Sequence, residues 1–97
     1  MIIVHETFIC KPGNASKLAK LFKEVMEGNP ELINIMTDVS GEFNKVVILC
    51  KYDTLSAYEK YFEQYMQDSE ETKKMKEKMK GYHDLYISGV REFYKVW

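Results

Sequence analysis

Residues 2–10, IIVHETFIC, are dominated by β-branched and aromatic side chains, which predicts a strand. Lys11-Pro12-Gly13-Asn14 stops it, and Asn14 is placed to accept a bond from an early helical N–H. Leu18, Leu21, Phe22, Val25 and Met26 then recur at the spacing of one apolar helix stripe, with lysines and glutamates opposite. Gly28 and Asn29-Pro30 end that helix.

Two further strands follow, over residues 32–39 and 45–52, joined by the turn Ser40-Gly41-Glu42-Phe43-Asn44. Asp53-Thr54 offers a cap to a second helix striped by Leu55, Tyr58, Phe62, Tyr65 and Met66. The segment Asp68-Ser69-Glu70-Glu71 reads as a helical restart, with Asp68 and Glu71 at capping-box spacing. Thr72, Met75, Met79 and Tyr82 continue the helical spacing, and Gly81 frays or ends it. Residues 85–97 read as a long last strand with Gly89 as its bulge.

The order is β-α-β-β-α-β, the pattern of a split βαβ, ferredoxin-like α+β sandwich. It predicts one domain over residues 1–97, with a four-stranded antiparallel sheet covered by helices on one face. The first and third strands lie in the middle. One face of the first strand carries Ile2, Val4, Glu6, Phe8 and Cys10, and the other Ile3, His5, Thr7 and Ile9. The third strand carries Val46, Ile48, Cys50 and Tyr52 on one face, and Val47, Leu49 and Lys51 on the other. A sheet that is apolar on both faces needs two covers, and the helices supply one. The simplest second cover is the same sheet from another copy, so a homodimer is expected.

Composition changes this picture little. The chain has 97 residues, 45% of them apolar, so disorder is excluded and one modest core is affordable. Fourteen basic against fifteen acidic residues leave a net charge of −1, with no field to hold nucleic acid. No apolar run approaches the roughly 18 residues of a membrane helix. Residues 1–10 hold His5 and Glu6 and no basic leader, so no signal peptide is expected and the cytoplasm is the expected location. Cys10 and Cys50 form no CxxC pair. At opposite rims of the sheet they are expected to be buried free thiols, since a disulfide needs α-carbons within about 7 Å.

Three stretches carry a family resemblance that covers nearly the whole chain. Phe8-Ile9-Cys10-Lys11-Pro12-Gly13 resembles the first strand of dimeric α+β barrel proteins. Ser40 to Val47, followed by Tyr52-Asp53-Thr54-Leu55-Ser56-Ala57-Tyr58-Glu59, also resembles dimeric α+β barrel proteins. Gly89-Val90-Arg91-Glu92-Phe93-Tyr94-Lys95-Val96 is similar to the last strand of NIPSNAP-like members. The resemblance implies a homodimer whose sheets close into a barrel, with a ligand cleft between sheet and helices in each copy. Members include antibiotic-biosynthesis monooxygenases, haem-degrading monooxygenases, lactone isomerases and proteins of no assigned function.

The candidate catalytic residues are His5, a general base or ligand, and Arg91, which would orient an anionic or phenolic ligand. Candidate binding residues are Glu6, Thr7, Tyr52 and Tyr58. Glu6 and Arg91 fall on neighbouring strands, and a plain cross-strand ion pair is the competing reading. Tyr52, Tyr58, Tyr61, Tyr65 and Tyr82 either line a pocket or simply form core. His83 lies near the position of an iron-ligating histidine in haem-degrading relatives. Those relatives also use a first-strand Asn and a Trp on the second helix, and Trp97 is the only Trp here. No cofactor and no metal are therefore expected. The lysine-rich stretch from Lys73 to Lys80 reads as a solvated face. RNA recognition fails for want of an aromatic third strand, and metal-chaperone chemistry for want of CxxC.

Three readings stay open. The first is a cleft protein acting on a small aromatic or hydrophobic molecule, as a cofactor-independent oxygenase does. The second is a non-catalytic ligand-binding or stress-associated module, and the third a purely structural dimer. A complete acid/base set in a roomy cleft would favour the first, and a cleft filled by Tyr and Met side chains the third.

Overall fold

A computed structural model describes residues 1–67 and 69–97. Strand β1 (Ile2–Cys10) leads into helix α1 (Ala15–Val25), then β2 (Leu32–Thr37) and β3 (Lys45–Tyr52). Helices α2 (Leu55–Met66) and α3 (Glu70–Lys78), a 3-10 turn over Tyr82–Asp84, and β4 (Tyr86–Lys95) complete the chain. The sheet order is β2-β3-β1-β4 with every pairing antiparallel, so β1 and β3 are central as the element order requires. This is the ferredoxin-like α+β arrangement.

The helix-side face of β1 and β3 builds the core. Val4, Cys10, Val46, Ile48, Cys50 and Tyr52 are buried there, against Leu18 and Phe22 of α1 and Met79 beyond α3. Leu18 is fully buried. Leu18→Ala should therefore cost about 3 kcal/mol of stability, from lost burial plus the cavity left behind, read as a lower urea midpoint with an unchanged slope.

Val4 lies opposite Cys50 in the β1–β3 register, while Cys10 lies six residues further along β1. At the strand rise of about 3.4 Å that separation is near 20 Å, and both thiols are free.

Most of the local signals hold. Asn14 occupies the cap position of α1 but makes no side-chain cap bond. Thr54 does cap α2, its Oγ1 accepting from Ala57 N at 3.1 Å. The helical restart read in the sequence is present, and Ser69 starts α3 by accepting from Thr72 N at 3.1 Å. The capping box read from Asp68 lies outside the described residues. Gly89 is not the bulge: register slips where Ile9 faces Ser88 and Cys10 faces Tyr86, which leaves Ile87 extra. Gly89 instead pairs regularly with Phe8, and a Cβ there would lie 3.3 Å from the Phe8 ring.

The opposite sheet face has no helix on it. Ile3, Ile9, Val47 and Leu49 alternate with the buried residues of β1 and β3 and stay only half-buried. His5 and Glu92 are partners in the β1–β4 register on this same face.

Candidate functional site

The helix side of the sheet is incompletely filled. A cleft of about 810 Å³, open to solvent, lies between β1, β3 and β4 on one side and the three helices on the other. Its wall on α2 exists because Tyr58, Tyr61, Phe62 and Tyr65 share one face of that helix, which has no fully buried residue. Bulky rings hold α2 off the sheet instead of collapsing onto it. Tyr52 meets Tyr58 edge-on at 5.3 Å and Tyr61 at 5.7 Å between ring centroids. Tyr58 in turn meets Phe93 at 5.1 Å.

Into this aromatic space the strands project one ion pair. Glu6 and Arg91 are register partners on β1 and β4, and Arg91 Nη2 donates to Glu6 Oε2 at 3.3 Å. The Arg91 guanidinium also lies 5.6 Å from the Phe62 ring centroid, within cation–π range. The side chains of Arg91 and Glu6 are 43% and 23% exposed, so the pair is reachable by a ligand. A guanidinium keeps donors to spare after one such bond, and its flat face suits a carboxylate or phenolate.

Desolvation pushes the phenols of Tyr52, Tyr58, Tyr61 and Tyr82 above the ordinary tyrosine range; for Tyr58, Arg91 partly offsets it. They are neutral hydrogen-bonding groups near pH 7, not bases. Cys50, also in the cleft wall, is pushed from 9.0 up to about 11, first by desolvation and then by Glu6 and Glu31. A folded-state value above the unfolded one stabilises the fold fully below pH 9 and loses that contribution as pH rises through 11. Stability should therefore fall between pH 9 and 11, with Cys50 contributing up to roughly 3 kcal/mol. Urea midpoints across that window, compared with Cys50→Ala, check it: the variant's profile should be the flatter.

Of the residues singled out in the sequence, Glu6, Arg91, Tyr52 and Tyr58 come together in the cleft. His5 and Thr7 do not; they project from β1 on the helix-free face. There His5 Nδ1 lies 3.4 Å from Thr7 Oγ1 and 3.7 Å from Glu92 Oε1, and Tyr94 donates to Glu92 at 3.1 Å. Tyr86 and Asn29 line the cleft without having been singled out. Asn29 donates to the Tyr61 hydroxyl at 3.3 Å, fixing one ring of the wall. Among the described residues no three His, Cys, Asp or Glu side chains converge on a common metal position. No described helix is long and apolar enough to cross a membrane.

No family model and no curated protein matches the sequence. Solved structures do match in three dimensions. An uncharacterized NIPSNAP domain protein from Burkholderia xenovorans superposes with a TM-score of 0.80 at 17% identity, over 100% of this chain and 95% of that one. The chain shares its fold with NIPSNAP domain proteins. A NIPSNAP family protein of unknown function from Agrobacterium tumefaciens gives 0.78 at 18% identity, over 99% and 87% of the two chains. A candidate antibiotic biosynthesis monooxygenase from Nitrosomonas europaea gives 0.65 at 10% identity, over 99% and 98%. At these identities the likeness establishes the NIPSNAP-type fold; function has to be argued from the cleft.

Proposed function

We propose that this NIPSNAP-fold chain is a homodimeric small-molecule-binding protein whose ligand is a small aromatic compound with an anionic or phenolic group. The observation that carries the reading is the cleft: aromatic walls around an unfilled space, with Arg91 and Glu6 set into them. Rings supply burial and stacking, and Arg91 supplies orientation. A purely structural dimer would have its tyrosines and methionines filling that space. The dimer is supported by the helix-free sheet face, where Ile3, Ile9, Val47 and Leu49 await a cover. In such a dimer His5 lies between the two sheets, satisfied by Thr7 and Glu92.

A second reading, oxygenation of a bound phenol by O2 without a cofactor, is favoured by the position of Glu6. It sets a carboxylate able to take a phenolic proton beside the guanidinium that would hold the phenolate. The base in the cleft is then Glu6, not His5.

Titration calorimetry with 2-naphthoate tests the binding reading. Binding that Arg91→Gln weakens supports it; no heat with this or related aromatic acids defeats it. Oxygen uptake with a naphthohydroquinone, above the buffer rate and lost in Glu6→Gln, separates an enzyme from a binding module.

A further inference from the structure

The cleft has a second polar end. Tyr86 opens β4 with its ring edge-on to Phe8 at 5.0 Å, and its hydroxyl oxygen lies 3.0 Å from Nδ1 of His83. His83 is exposed and does not line the cleft, whereas Tyr86 does. The Tyr86 hydroxyl therefore stands at the rim, held from outside by an imidazole. Tyr82 stacks on that imidazole at 4.0 Å, which limits its rotation. Whichever partner donates in the Tyr86–His83 bond, the phenolic oxygen keeps a lone pair for a further donor.

Arg91 lies five residues further along the same strand and lines the same cleft. That places the two α-carbons on the order of 15 Å apart. Between them is Gly89, beneath the Phe8 ring and without a side chain, so the floor between the two polar ends is flat and apolar. The bulge at Ile87 makes this possible. It returns Tyr86 to the cleft side, where unbroken alternation along β4 would have turned it away.

We propose that the cleft recognises a two-ended ligand. This is an elongated aromatic acid or phenol whose anionic end meets Arg91 and whose far end carries a hydroxyl that donates to Tyr86. His83 acts as a positioning residue for that hydroxyl. The proposal rests on the cleft-binding reading and adds the ligand's length and its second functional group.

Calorimetry with matched probes tests it: 4-hydroxybenzoate, 6-hydroxy-2-naphthoate and 4′-hydroxybiphenyl-4-carboxylate, each against its analogue lacking the hydroxyl. The hydroxyl should add nothing to the shortest acid and roughly 3- to 10-fold in affinity to one of the longer ones. Tyr86→Phe, which keeps the ring on Phe8, should erase that gain, read as the affinity ratio of each hydroxylated acid to its analogue within the same variant. His83→Leu should reduce the gain, and His83→Gln, which can still bond the phenol, should restore it. A gain that survives Tyr86→Phe overturns the proposal. So does Arg91-dependent binding with no hydroxyl gain at any length, which leaves the cleft reading standing. No binding by any probe, with or without the hydroxyl, defeats both.

Discussion

The Leu49→Asp protein should sediment as an 11.5 kDa monomer at micromolar concentrations at which the unaltered chain should sediment as a dimer. Leu49 sits mid-strand on β3, flanked by His5 on β1 and Asn34 on β2, on the face that carries no helix. In a monomer the new carboxylate faces water and costs little. Between two sheets it would be an unpaired buried charge, worth several kcal/mol against association and so more than a hundredfold in the dimer dissociation constant. The substitution therefore separates dimerisation from folding: its urea midpoint, compared with the unaltered chain diluted below its dissociation point, should be nearly unchanged. An exposed helix position such as Lys74→Glu should leave the dimer intact. A monomeric wild-type protein at these concentrations would remove the argument from the uncovered face.

Arg91→Gln should lower affinity for 2-naphthoate by at least tenfold. A hydrogen bond to a charged group contributes about 1.5–3 kcal/mol, and the loss of Arg91 also leaves Glu6 unpaired and repelling the anion. Glu6→Gln should act in the opposite direction on binding. It removes the competing carboxylate and leaves the guanidinium, so affinity for the anion should hold or rise. If the cleft also runs oxygen chemistry, the same Glu6→Gln variant should lose it while still binding. A plain structural ion pair predicts something different: both substitutions would lower stability alike and neither would alter ligand affinity.

How much of this was legible in the chain depends on the element. The limits of β1 and β3 coincide with their runs rich in β-branched and aromatic residues, because a central strand is paired on both sides and its neighbours hold it extended. The pairing of Glu6 with Arg91 was also accessible, since strand order and alternation together put them on one face of adjacent strands. The restart at Ser69 was legible too, because a capping hydroxyl followed by an acidic first turn marks a helix start. Two features were not. The bulge falls at Ile87 and not at Gly89: register is fixed by both neighbours of a strand, and no residue type marks it. The i,i+3 spacing of His83 and Tyr86 was a usable sign that the two side chains meet, but not that one of them faces a cavity.

Residue pattern alone determined the βαββαβ order, the two apolar faces of β1 and β3, and hence the need for a cover the helices cannot supply. Each follows from local periodicity and the conservation of apolar area. Tertiary structure decided which face of β1 carries the cleft. It placed Glu6, Tyr52, Tyr58 and Arg91 inside and turned His5 and Thr7 toward the other face. It also decided that the tyrosines of α2 wall an open space rather than fill it. Whether a ring packs home or stands off depends on the distance between helix and sheet, and that distance is set by many side chains at once.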